Sequence, residues 1–174
     1  MASPFYNYTI ATLTKGLNTL STLLKKAEEY TKEKNIPLDE LLNARLVEDM
    51  KPLSFQIVTA TNIVSKALAR AAFIEPPPQQ EPENTYEDLY RRLDSALAEL
   101  EKVDPAKIAI KEGQTFKAPI GPNVVDFTLE DYSVRFLIPN FYFHVVTTYD
   151  ILRAKEQARH TALGTLGSRT NVPY

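Results

Sequence analysis

The chain has no cysteine among its 174 residues, which excludes disulfides, thiolate metal sites and cysteine nucleophiles. Glycine occurs only five times, never in a phosphate-cradling pattern. Polar residues interrupt every apolar run, so no transmembrane span fits. Basic residues are in no excess. Twenty lysines and arginines face 22 aspartates and glutamates, a formal charge of −2, so neither nucleic acid nor an anionic membrane is an expected partner. Met1-Ala2-Ser3-Pro4-Phe5-Tyr6 lacks the charged and apolar regions of a secretory signal, and a cytoplasmic protein is expected. Repeats at solenoid periods are also missing. What is present, 44% hydrophobic and 24% charged residues, suits one globular domain with a real core.

Four apolar stripes at helical spacing organise the chain. Tyr6, Ile10, Leu13, Leu17, Leu20, Leu24 and Ala27 alternate by three and four, after a Ser3-Pro4 start and before an Asn35-Ile36-Pro37 stop. Gly16 lies inside this stripe and suits close approach of a neighbouring helix or ligand. A second stripe runs from Leu42 through Leu46, Met50, Leu53, Ile57, Ala60 and Val64 to Ala71. It opens at Pro37-Leu38-Asp39-Glu40, and Pro52 is expected to kink it. Beside it runs a polar line of Arg45, Asp49 and Gln56, in which Arg45 and Asp49 stand four apart and can pair. That line is either solvated or turned into a cavity.

Glu75-Pro76-Pro77-Pro78-Gln79-Gln80-Glu81-Pro82 reads as an extended, semi-rigid crossover. Asn84 and Glu87 are spaced as a capping box for a third helix through Tyr86, Leu89, Leu93, Leu97, Leu100 and Val103, which Asp104-Pro105 stops. Alternating residues at 107–111, 114–118 and 124–127, with turn chemistry at Pro119-Ile120-Gly121-Pro122-Asn123, predict a small β-hairpin or ordered loop. Leu129-Glu130-Asp131 opens the fourth helix, which Pro139 is expected to kink or divide. The bundle domain spans residues 1–155. Residues 156–174 form a polar tail that holds His160, expected to be exposed and idle.

The fourth helix carries the most apolar stretch, Pro139-Asn140-Phe141-Tyr142-Phe143-His144-Val145-Val146-Thr147-Thr148-Tyr149-Asp150-Ile151-Leu152. His144 stands on the shoulder of its apolar face. An imidazole there is either a hydrogen-bonded core residue or the chemical centre of a pocket. Under the second reading His144 is a general acid or base and Asp49 orients it or takes the second proton. Gln56, Asn140, Tyr142, Arg45 and Thr148 then bind substrate. With nine tyrosines and eight phenylalanines, an aromatic-lined pocket for a small aromatic or polyketide-like molecule is expected.

Three separated motifs resemble a known family. They are Pro139-Asn140-Phe141-Tyr142-Phe143-His144 with Thr148-Tyr149 and Ile151-Leu152-Arg153; Arg45-Leu46 with Asp49-Met50, Pro52-Leu53 and Gln56; and Glu83-Asn84-Thr85 before Leu89 and Arg92-Leu93. Together, over residues 5 to 153, they resemble an uncharacterised family of bacterial and fungal proteins in the DinB/YfiT-like superfamily. The resemblance implies an all-α, up-down four-helix bundle with a long crossover and a small β-hairpin insert before helix four.

Many superfamily members hold a divalent metal with three histidines, one on helix two and a pair four apart on helix four. Here His144 matches one of the pair, Thr148 stands at the other, and helix two offers Gln56 or Asn62. The family's usual aspartate at Asn62, histidine at Ala154 and glycine-lysine-aspartate tail are also absent. The expectation is therefore no metal and no cofactor. Fungal members resemble accessory proteins of secondary metabolism. Three functions stay open: a cofactor-independent dehydratase, isomerase or cyclase; a non-catalytic ligand carrier or homodimeric module; and a metal-dependent DinB-like transferase.

Overall fold

The computed structural model describes residues 5–80, 85–109 and 113–155. The Ser3-Pro4 start, Asn84 and the 156–174 tail with His160 lie outside the described residues. The first leucine stripe folds as α1 (Ala11–Lys34), entered through a π-helical turn, Tyr6–Ile10, and buries Leu13, Leu17, Leu20, Leu24 and Ala27. Asn35 ends it in the left-handed region at φ 55°, and the Ile36 amide donates to the Thr31 carbonyl at 2.9 Å. Asparagine tolerates that conformation better than most residues do, so the stop falls where its chemistry allows.

The second stripe differs from the expectation of one kinked helix. It breaks into α2 (Asp39–Leu42), a loop over 43–52, and α3 (Leu53–Ala72). Pro52 is extended at ψ 174° and caps α3 instead of bending it. A proline before the first helical turn costs no internal hydrogen bond, so starting a helix there is cheaper than kinking one. The loop is pinned by the Leu53 amide on the Ala44 carbonyl at 2.9 Å and by Arg45 Nη1 on the Met50 carbonyl at 2.9 Å. Arg45 therefore closes the loop rather than pairing with Asp49.

The proline-rich crossover returns along α3, where Asn62 Nδ2 donates to the Gln80 carbonyl at 3.2 Å. It leads to α4 (Tyr86–Glu101), whose cap is Thr85: its hydroxyl oxygen accepts from the Asp88 amide at 3.1 Å. A short α5 (Pro105–Ala109) takes the first expected strand segment as far as Ala109, residues 110–111 lying outside the described residues; Asp104 Oδ1 accepts from the Ala106 amide and Pro105 occupies the first helical position. The hairpin follows as β1 (Thr115–Ile120) and β2 (Asn123–Thr128), antiparallel, with Ile120 opposite Asn123. Gly121, at φ 58°, supplies the positive φ that its two-residue turn requires.

The chain then enters α6 (Leu129–Tyr132), a π-helical turn at Ser133–Leu137, and α7 (Ile138–Ala154). Pro139 lies just past the wide turn, which relieves the clash between its ring and the carbonyl four residues earlier. Helices α1, α3, α4 and α7 pack as a four-helix bundle around Leu13, Leu17, Ile57, Leu89, Leu93, Phe141 and Ile151. Phe73, Phe116, Phe127 and Tyr132 join the hairpin to one end of it through edge-on ring contacts. At the α1–α7 crossing, a Cβ added to Gly16 would stand 2.2 Å from Phe141 Cε1. Gly16 therefore serves helix approach. Among the described residues no helix is long and apolar enough to cross a membrane.

Candidate functional site

Helices α3 and α7 bring Gln56 and His144 together from positions 88 apart in sequence. Gln56 stands in the first turn of α3, held there by the Pro52 cap, and His144 near the middle of α7. Gln56 Nε2 donates to the Lys51 carbonyl at 3.0 Å, which orients the amide. Its Oε1 therefore accepts, and the 2.7 Å contact with His144 Nδ1 is an Nδ1–H donating to that oxygen. In the neutral ring the lone pair then falls on Nε2. This atom makes no hydrogen bond with any described residue and keeps contact with solvent. The ring as a whole is only 7% exposed. Burial holds its pKa down at about 4 from an ordinary 6.5, because the charged form loses hydration among hydrocarbon neighbours.

Those neighbours are aromatic. Phe55 lies 6.3 Å from the imidazole centroid at 62°, and Phe143 lies 5.2 Å away at 84°. On the outer side of α7, Tyr142, Phe143 and Val146 stay exposed, at 39, 56 and 52%. Val146 stands three residues from Phe143 and four from Tyr142, so it shares a face with each. The arrangement offers a neutral hydrogen-bond acceptor at the rim of an aromatic surface.

The other predicted site residues distribute unevenly. Thr148 is buried, and its hydroxyl donates to the His144 carbonyl at 2.8 Å, a bond within the helix. Asn140 is half-buried on the preceding turn of α7. Asp49 is exposed in loop 43–52, and among the described residues it makes no bond to His144. Its expected place opposite the imidazole depended on a helix through 43–52, which the chain does not form.

Arg45 lines a separate cleft of about 450 Å³ with Glu40, Glu48 and Lys155. Lys155 is roughly 16 Å along the helix axis from His144 at 1.5 Å per residue. Two residues of α3 beside Gln56 escaped the sequence reading: Phe55, whose ring centroid stands 5.7 Å from the Lys51 ammonium, and Thr59, whose buried hydroxyl has no partner among the described residues. An aromatic residue off the apolar stripe was the available signal for Phe55.

The donors do not suit the metal that the resemblance implied. Gln56 Oε1 holds Nδ1–H, the Thr148 hydroxyl is spent on a backbone carbonyl, and one imidazole remains. Among the described residues, no group of three histidine, aspartate or glutamate side chains could hold a metal ion.

A four-helix bundle with a crossover between its second and third long helices and a hairpin before its last is a DinB-like architecture. The chain is similar over its length to a crystal structure described as a DinB family member protein from Shewanella denitrificans: 28% identity, TM-score 0.79, covering 97% of this chain and 93% of that one. The chain belongs to the family described as "Domain of unknown function (DUF1993)", whose model matches residues 5–156. No curated protein matches it.

Proposed function

We propose that the protein is a cofactor-independent small-molecule enzyme of the dehydratase, isomerase or cyclase type, in which Nε2 of His144 accepts a proton from an aromatic or polyketide-like substrate. The directed Gln56–His144 bond carries the reading, since it leaves the acceptor lone pair on the one nitrogen that meets solvent. The ring is neutral at neutral pH and starts the cycle as a base. The proton leaves a carbon beside a substrate carbonyl, forms the N–H bond at Nε2, and the C–H electron pair passes into an enolate. Returning that proton to another atom isomerises the substrate. Returning it to a departing hydroxyl dehydrates it. A place in secondary-metabolite biosynthesis belongs to the same proposal and rests on family likeness.

Phenylpyruvate tautomerisation, followed by ultraviolet absorbance, tests the proposal. Wild-type protein should exceed the buffer rate, and His144→Asn should fall back to it while still melting cooperatively. Equal rates for the two folded proteins remove the reading.

The exposed face of Tyr142, Phe143 and Val146 favours a second reading, a non-catalytic homodimer closed on α7. Sedimentation should then show a dimer that Phe143→Glu converts to a monomer.

A further inference from the structure

A buried imidazole paired with a neutral amide can take a proton only if the anion left behind is stabilised. The His144–Gln56 pair has no fixed positive charge of its own. Lys51 stands beside it. Its backbone carbonyl is the acceptor that orients Gln56, so the residue is tied to the pair through one hydrogen bond. Its ammonium lies 5.7 Å from the Phe55 centroid, and the same ring lies 6.3 Å from the imidazole. Ammonium and imidazole thus both lie near one aromatic ring. Lys51 is exposed and forms no ion pair among the described residues, so its charge is free to meet a ligand.

We propose that Lys51 and Phe55 form the anion-binding half of the His144 site, and that its ligand is a planar aromatic molecule bearing a carboxylate, phenolate or enolate oxygen. The inference rests on His144 being a ligand-contacting residue, as read above. Phe55 offers the ligand's ring an edge or face, and Lys51 meets its charge. Thr59 follows Phe55 by one helical turn on the same face of α3, and its buried hydroxyl has no partner among the described residues. The site therefore selects by charge as well as by ring shape. A cationic aromatic of equal size is repelled, and a neutral one loses the Lys51 contribution.

Benzoate, benzyl alcohol and benzylamine are single-ring probes of similar size carrying negative, zero and positive charge. Titrated against isotope-labelled full-length protein, they are read by the His144 side-chain resonances. Benzoate should shift those signals saturably and bind about fivefold tighter than benzyl alcohol, the size expected of one exposed charge contact. Lys51→Met should erase the preference, and Lys51→Arg should keep it. If benzyl alcohol matches benzoate, or if Lys51→Met leaves the preference intact, the anion assignment is overturned while His144 remains a ligand site. If none of the three probes moves the His144 signals, the catalytic reading is overturned with it.

Discussion

Helix α7 meets two neighbours by opposite means, at contacts three positions apart. At Phe141 it meets α1 through hydrocarbon alone, with the ring pressed against a glycine that has no room for a methyl. At His144 it meets α3 through a directed polar bond whose outer edge reaches solvent. The first contact tolerates no displacement and does no chemistry. The second needs accurate placement and borrows it from the first, because one rigid helix carries both side chains.

The largest effects should fall on the sealed contact. Phe141→Ala should cost about 3–5 kcal/mol in chemical denaturation, the range for a fully buried aromatic. Gly16→Ala should cost about 1–3 kcal/mol by overpacking. Combining Gly16→Ala with Phe141→Leu should cost less than the two changes separately, because the smaller side chain makes room for the added methyl. Strict additivity in that cycle would show that the two residues do not meet.

Gln56→Leu probes the open contact. It strands the Nδ1–H and the Lys51 carbonyl and should cost about 1–3 kcal/mol. Gln56→Glu should instead raise the His144 pKa from about 4, because a carboxylate beside Nδ1–H favours the charged ring. A side-chain titration left near its wild-type midpoint would break the assigned pairing.

A smaller effect is built into the wild type. The His144 pKa is about 4 when folded, below the ordinary 6.5, so the unfolded chain binds the proton more tightly. Stability from this group is complete above about pH 6.5 and is lost as pH falls toward 4. Melting temperature should decline across that interval in wild type and decline less in His144→Asn. Equal slopes would contradict the depressed value. Tyr142→Ser, on the exposed face, should change stability by no more than about 0.5 kcal/mol, unless the second-copy reading holds and the loss grows with protein concentration.

Much of the fold was legible because its signals are local. Apolar residues three and four apart mark α1, α3, α4 and α7, Asn35 stops α1, and Gly121-Pro122 turns the hairpin. The loop over 43–52 was not legible. Leu42, Leu46, Met50 and Leu53 keep helical spacing, yet the backbone settles into tertiary bonds from Leu53 to Ala44 and from Arg45 to Met50 that no local pattern announces. Asp49 was misplaced for that reason. Gln56 lies beyond Pro52 and was unaffected. Its meeting with His144 followed from the bundle that the family resemblance implied. Its role as the residue that orients the imidazole required the Lys51 carbonyl, which only the folded loop puts in reach.

Nitrogen NMR of the His144 side chain reads its tautomer and its charge together. The expected result is a neutral ring at pH 7, with the proton on Nδ1, a bare Nε2, and a titration midpoint close to 4. A proton on Nε2, or a midpoint at the ordinary 6.5, would contradict it.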